Sequence, residues 1–460
     1  MTRIVLTLAL LALACRPAAS SDTVVAVTSD YSVSGSVSTV GVIPPWGVDQ
    51  GVASVHSDAV ARERGGLIYV VNKLYADNIQ VLDPASGFST VRQFSVGPGT
   101  NPQDIAFVSD TRAYVSRYES THVVEVDPTT GTVTDSVDLS ALADADGLPE
   151  MSGMAVSNGY VLVAVQRIDR DVYWTPVPPS YLAVIDPDTN TLVDTDPAEP
   201  GVQSIELSAT NPYGELHVDP ATGHLIVPLS GHWGVLDGGV EVIDPSTFSS
   251  LGFLTTEAQL QGDINDIALG TAERAHAMIS VTSPAWESFV VAWNRASGAL
   301  IGDVYRPGGW NIADVEVHDG TGQLFVSDRS YTDPGVRVFD AATGAEQTAG
   351  ALFVGLPPHD LVVLGSDVTG VADAGGASLR VWPNPSAGPV RLEVDATVRA
   401  GTPIDIYDVA GRHVARLSIE RGATGVRWDG RDAAGRRVSS GVYFARAAGT
   451  ASLTKVVVVR

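Results

Sequence analysis

An all-β fold follows from three features of the sequence: short Val/Ile/Tyr runs, a turn motif that recurs, and glycine and proline concentrated between the runs. The chain has 460 residues, with 46 glycines and 27 prolines. Apolar residues make up 44% and charged residues 18%, a composition that fills sizeable cores and excludes global disorder. Single cores stop growing near about 250–300 residues, so more than one domain is expected.

The turn motif sets the architecture. It reads IQVLDPASG (79–87), VVEVDPTTG (123–131), LAVIDPDTN (182–190), VEVIDPSTF (240–248), VVAWNRASG (290–298) and VRVFDAATG (336–344). The anchors Asp83, Asp127, Asp186, Asp244, Asn294 and Asp340 are 44, 59, 58, 50 and 46 residues apart. An apolar strand ends in an Asp or Asn whose side chain caps the turn, and Gly takes the left-handed position.

Two strands precede each copy. The first has a polar head, as in SDAVA (57–61), QDIAF (103–107), SGMAV (152–156), YGELHV (213–218), NDIAL (265–269) and ADVEV (313–317). The second is apolar, for example LIYVVN (67–72) and YVLVAV (160–165), and a fourth strand follows each turn, for example VTDSVDL (133–139). Four strands every ~40–45 residues is the period of a propeller blade. TVVAVTSDYSVSGSVSTV (23–40) supplies a second and a third strand without a first, and PHDLVVLG (358–365) is a first strand with nothing after it. Together they complete one more blade from both ends of the domain, which removes free sheet edges. The count is a seven-bladed β-propeller over 22–366, with six blades as the alternative. This pattern resembles the YVTN-type and NHL-like seven-bladed propellers of bacterial surface proteins. The resemblance implies the fold and leaves the chemistry open, because propellers host many functions.

A linker at 367–378 leads to a second module, 379–460. Its runs RVWPNPSAGPVRLEV (380–394), PIDIYDVAGRHVARL (403–417), VRWDGRDAAGRRVSSGVYFARAAG (426–449) and SLTKVVVVR (452–460) read as a small β-sandwich. Trp382-Pro383-Asn384-Pro385, Tyr407 to Arg412, Trp428 to Arg431 and Gly441-Val442-Tyr443 resemble two overlapping families. One is the Ig-like domain of flagellar hook-capping proteins; the other is the C-terminal sorting domain of type IX secretion cargo. The second resemblance implies export across the outer membrane, cleavage of the tail and surface attachment, with the secretion machinery as a partner.

Charge separates the same two modules. Residues 1–371 hold 15 basic and 45 acidic groups, whereas 372–460 hold 13 and 8. The acidic part would repel nucleic acid and anionic lipid, and it attracts cations. The N-terminus reads as a signal peptide over 1–21, with Arg3 as its positive end and Ile4 to Ala14 as its apolar stretch, too short to span a bilayer. Cleavage follows Ala12-Leu13-Ala14, or else Leu11 to Cys15 is a lipobox with Cys15 lipidated. Cys15 is the one cysteine, so the mature chain has no disulfide. The location implied is the outer-membrane surface or the extracellular space of a Gram-negative-type bacterium, with a periplasmic lipoprotein as the alternative.

Candidate site residues converge on one face, where the inner strands begin and the loops between second and third strands return. Asp58, Asp104, Asp266, Asp314 and Asp360 head inner strands, with Gly153 and Gly214 in their place in two blades. Near one axis they could hold a hard cation such as Ca2+, or each could hydrogen-bond backbone N–H groups of its blade. His56 and His359 lie next to such acids. Each loop also carries an aromatic residue: Tyr31, Tyr75, Tyr118, Trp174, Trp233, Trp286 and Tyr331. These suit a platform for sugars, peptides or cations, or packing between blades. DADGLPE (144–150) offers Asp144, Asp146 and Glu150 as oxygen ligands, without EF-hand spacing. No GxSxG, HExxH or Walker loop occurs, so catalysis finds little support. The reading is a surface protein that binds a protein, glycan or small-molecule ligand without needing a cofactor. A metal-assisted hydrolase or lactonase and a structural envelope component are the alternatives.

Overall fold

In a computed structural model of the chain, the described residues are 23–220, 222–364, 379–382, 386, 389–394, 403–408, 412–418, 425–433, 435–447 and 454–458. The leader with Cys15 and the 367–378 linker lie outside them.

Among the described residues of 23–364, seven antiparallel sheets of three to five strands are joined by one two-stranded ribbon, Ile168–Asp169 with Thr175–Pro176. Sheet 1 runs outward through Ala59–Arg64, Leu67–Asn72, Asn78–Asp83 and Ser89–Ser95. Sheet 2 is Pro102–Ser109, Arg112–Arg117, His122–Asp127 and Thr132–Asp138. Sheet 3 is Met151–Ser157, Tyr160–Val165, Tyr181–Asp186 and the short Thr191–Leu192, with Ile205–Glu206 added on the same outer edge. Sheet 4 is His217–Val218, Leu225–Leu229, Gly239–Asp244 and Ser249–Thr256, and sheet 5 is Asp263–Thr271, Arg274–Val281, Glu287–Trp293 and Leu300–Tyr305. Sheet 6 has three strands, Ile312–His318, Gln323–Asp328 and Gly335–Asp340. Sheet 7 joins the two ends: Pro358–Leu364 pairs with Thr23–Ser29, followed by Ser34–Gly41 and Val48–His56. Contacts between neighbouring sheets run round from sheet 1 to sheet 7 and back to sheet 1, the closed ring of a β-propeller.

The clasp has the expected composition, with Val25 opposite Val362 and Ala26 opposite Leu361. Two strand expectations are corrected. The inner strand expected at 213–218 is only His217–Val218, because Gly214 sits in the left-handed region at φ 78° and delays pairing. Sheet 6 lacks a full fourth strand; isolated bridges Val336–Leu352 and Phe339–Glu346 take its place.

The turn motif works as its chemistry requires. Asp83, Asp127, Asp186 and Asp244 each accept from the backbone N–H two residues on, at 2.8–2.9 Å. Gly87, Gly131, Gly298 and Gly344 take the left-handed position, and Asn190 and Phe248 take it in the two copies without glycine. The cores lie between sheets, so middle strands are buried on both sides and read as continuous apolar runs. Val161 to Val165 are all buried in this way.

In the C-terminal segment, Leu379–Trp382, Val390–Val394 and Gly425–Trp428 form one sheet. His413–Ser418, Pro403–Asp408, Gly441–Ala447 and Thr454–Val458 form another. They share a core around Leu392, Ile404, Ile406, Trp428, Tyr443 and Val456. Both aromatic residues satisfy their polar ends: Trp428 Nε1 donates to the Arg431 carbonyl and the Tyr443 hydroxyl to the Ser439 carbonyl, each at 2.8 Å.

Candidate functional site

The heads of the inner strands meet at the axis. Asp104 accepts from Ile105 N–H and, across to sheet 3, from Met154 N–H, both at 2.8 Å. Asp360 reaches from sheet 7 to Ala61 N–H of sheet 1 at 2.8 Å. Asp314 accepts from Val315 N–H and, across to sheet 7, from Leu361 N–H. Each of these acids therefore staples its sheet to the next, a role that extends beyond its own blade.

The stapling register corrects one assignment. Ala61, Met154 and Leu361 are equivalent acceptor-facing positions, so the residue heading sheet 1 at this level is Val60, not Asp58. Asp58 stands higher, where His56 Nδ1 accepts from its backbone N–H at 3.2 Å. The two glycines in the ring have a steric cause. A Cβ on Gly153 would lie 2.9 Å from the Gly214 carbonyl oxygen, and one on Gly214 would lie 2.5 Å from that of Asn265. The chain passes too closely between sheets 3, 4 and 5 for side chains at those points.

Six carboxyl groups, of Asp104, Glu215, Asp266, Asp314, Glu316 and Asp360, line the channel, and the guanidinium of Arg62 is close to three of them. Its Nε lies 2.9 Å from Asp104, and its Nη1 lies 2.6 Å from Glu215 and 3.9 Å from Asp360. One cation cannot neutralise six acids in a low-dielectric channel, so protons make up the difference. Burial, reinforced by the neighbouring carboxylates, pushes Asp314, Asp360 and Glu316 well above the ordinary range. Burial likewise raises Asp266 to about 7, and its Oδ1 has no hydrogen-bond partner. In Asp104 burial also raises the pKa, against the pull of Arg62.

Arg62 and Glu215 form a waist that separates two cavities. The lower one, about 600 Å3, is lined by Phe107, Leu216, Val317 and Val362 among others. The upper one, about 540 Å3, opens on the loop-rich face. Its floor holds Asp104, Asp266, Asp314, Asp360 and Asn265, and its walls hold Tyr118, Trp174, Tyr213, Trp233 and Trp310. Lys73, Arg329 and His359 also border it. Burial, with Lys73 nearby, lowers His359 to about 4, so its imidazole is neutral at pH 7.

The predicted aromatic residues divide. Tyr118, Trp174 and Trp233 line the cavity, whereas Tyr75 and Tyr331 stand free of it at 86% and 100% exposure. Tyr31, Trp174 and Trp286 are also exposed, which is not the packing between blades that was the other expectation. Two wall residues were missed. Trp310 follows Gly308 and Gly309, both left-handed, and packs between Trp233 at 6.0 Å and Trp286 at 5.6 Å. Tyr213 extends the row, with its ring 5.7 Å from that of Trp233. Both precede inner strands, outside the loops between second and third strands where the aromatic pattern repeats.

Among the described residues, Asp144, Asp146 and Glu150 are the group whose ligand atoms lie within 4.8 Å of one another; the channel acids form no such group. Arg170 already pairs with two acids of the cluster. Its guanidinium lies 3.2 Å from Glu150, 3.7 Å from Asp146 and 2.7 Å from Glu119. It is sandwiched by the rings of Tyr118 and Trp174, at 5.1 and 5.6 Å. The oxygen donors thus suit Ca2+ by type, but an arginine occupies the place of the charge.

Residues 380–460 match the model of the secretion system C-terminal sorting domain. This tail is a type IX secretion sorting domain. It routes the chain through that machinery to the cell surface or the extracellular space. No helix among the described residues is long and apolar enough to cross a membrane. No curated protein matches the chain. Among solved structures, a putative 6-phosphogluconolactonase from Bacteroides uniformis is 15% identical, with a TM-score of 0.50 over 75% of this chain and 100% of its own, a likeness of fold. PorZ, a surface component of the type IX secretion system of Porphyromonas gingivalis, is 15% identical with a TM-score of 0.46. That match covers 93% of this chain and 64% of PorZ. A quinonprotein alcohol dehydrogenase-like protein from Bacteroides thetaiotaomicron is 10% identical with a TM-score of 0.49, covering 74% and 78%.

Proposed function

We propose that this secreted propeller is a binding protein whose loop-rich face captures a soluble ligand or a partner outside the cell. One observation carries the reading: every sheet sends an aromatic residue to that face, and most of those side chains are exposed rather than packed. Tyr31, Tyr75, Trp174, Trp286 and Tyr331 all expose more than half of their surface. Large aromatic surfaces left in water at repeated positions mark contact sites. Rigid rings also bind with little loss of conformational freedom. Tyr31, Tyr75 and Trp174 are moreover held at positive φ, a conformation costing about 1–3 kcal/mol that recurs at functional loops.

The protein's export supports an external ligand. The leader with Cys15 hands the chain to the periplasm, and the sorting tail takes it onward. The test is a glycan array and a peptide library probed with purified protein. The variant Tyr75→Ser/Trp286→Ser/Tyr331→Ser should keep its urea midpoint and lose the ligands that the parent binds. Identical binding profiles for the two proteins, or no binding by the parent, would sink the reading.

A further inference from the structure

We infer that the upper cavity is a site for an organic cation, specifically a primary ammonium group seated on Asp266 and Asp314 with its carbon body against the Tyr213–Trp233–Trp310 row. This rests on the reading that the loop-rich face binds ligands, and it names the chemistry taken at its centre.

Four observations carry it. First, the floor is short of positive charge: Arg62 pairs closely with Asp104 and Glu215, and among the described residues neither Asp266 nor Asp314 has an ion-pair partner. The buried Asp266 Oδ1 has no hydrogen-bond partner. Second, Asn265 lines the same cavity, is 1% exposed, and neither its amide nitrogen nor its amide oxygen has a hydrogen-bond partner. A buried amide wholly unsatisfied costs free energy unless something arrives to pair with it. An ammonium offers three donors, enough for the Asn265 oxygen and the two carboxylates together. Third, the walls are faces and edges of aromatic rings, which attract a desolvated cation and bury methylene groups. Fourth, the 1–371 segment carries 45 acidic against 15 basic groups, so the field at the mouth draws cations inward.

A bare metal ion fits less well. The channel acids are not among the groups close enough to chelate one ion, and the indole walls of Trp233 and Trp310 supply no oxygen ligands. Lys73 and Arg329 line the same cavity and would repel a second positive charge on the ligand. The ligand is therefore a cation at one end that is neutral or anionic at the other, such as an aminoalkyl group or a lysine-like side chain.

Charge balance gives the site a signature. A proton that burial favours on Asp266 and the ammonium compete for the same oxygens, so the cation's arrival expels a proton to solvent. Isothermal titration of the full chain with 6-aminohexanoate at pH 7 reads this directly, since the observed heat then differs between phosphate and Tris buffers. Hexanoate and hexane-1,6-diol are the neutral-headed comparators, and maltose is the sugar comparator. Binding of 6-aminohexanoate with buffer-dependent heat, no binding of hexanoate or the diol, and a loss of about tenfold or more in Asp266→Asn are expected. The buffer comparison uses the unaltered protein, so the test does not depend on the variant folding. Equal binding of the diol, hexanoate or maltose would overturn the ammonium assignment while leaving the face a binding face. No binding of any of the four would overturn the assignment as well, and the glycan and peptide arrays would then decide separately whether the face binds anything.

Discussion

Replacing Asp266 by Asn should make the protein more stable at pH 8 and leave it nearly unchanged at pH 4. The side chain is 7% exposed, and burial lifts its pKa from the ordinary 3.8 to about 7. The folded state then holds a proton that the unfolded chain has released. The resulting stability is fully present below about pH 4, and it is lost as pH rises through 7. Each pH unit between the two values is worth about 1.4 kcal/mol, so the total is about 4 kcal/mol. The amide keeps the shape of the carboxyl and does not titrate, so the variant never suffers that loss. Urea denaturation followed by tryptophan fluorescence at pH 4, 5, 6, 7 and 8 measures it. With a slope of ~3 kcal/mol/M, the midpoint of the variant should exceed that of the parent by about 1 M at pH 8. A variant weakened equally at every pH, or a parent that gains stability from pH 5 to pH 8, would refute the reasoning.

Further outcomes follow from single contacts. Arg170→Met removes the guanidinium from Glu119, Asp146 and Glu150, which should cost about 3 kcal/mol in EDTA. Millimolar Ca2+ should restore part of that in the variant and leave the parent's melting temperature unmoved. Gly153→Asp, which writes the ring acid back into sheet 3, brings a Cβ to 2.9 Å from the Gly214 carbonyl oxygen and should cost about 1–3 kcal/mol by urea midpoint. Deleting 380–460 should trap the propeller in the periplasm of its host, as cell fractionation with immunoblotting would show. The intact mass of the native product decides between an acylated Cys15 and a plain cleavage, and shows whether the tail is removed.

Much of the fold was legible because its signal repeats. An Asp that caps a turn and a Gly at positive φ recur with the blade, and local backbone chemistry dictates both. The clasp between 23–40 and 358–365 was readable for the same reason: a missing first strand and an orphan first strand add up to one sheet. The site was less legible because it depends on register across sheets. Asp58 and Val60 are two residues apart, a difference that no strand pattern resolves and that one hydrogen bond from Ala61 does. Arg62 lies two residues further along the same strand; nothing in its local sequence marks it as the cation at the axis. Trp310 and Tyr213 were passed over because they belong to turns outside the repeated loop. A pair of left-handed glycines before Trp310 was the available sign of a shaped turn there.

The acid ring was weighed as either structural or functional, and the geometry makes these one property. A carboxylate stapled to two backbone N–H groups is well satisfied, and repeating it round an axis fixes the sheets to one another. The same repetition concentrates negative charge where the dielectric is lowest. Val60, Gly153 and Gly214 interrupt the ring, and Arg62 answers the acids nearest to it. At Asp266 the pattern fails. The donor it would take by analogy, Val315 N–H, is already held by Asp314. Asp266 therefore meets a carboxyl group where its counterparts meet an amide, next to an Asn265 that has no partner at all. The acids at equivalent positions in sheets 2, 6 and 7 are satisfied, whereas in sheet 5 Asp266 Oδ1 and the amide of Asn265 have no hydrogen-bond partner, and on that pair the proposed cation site rests.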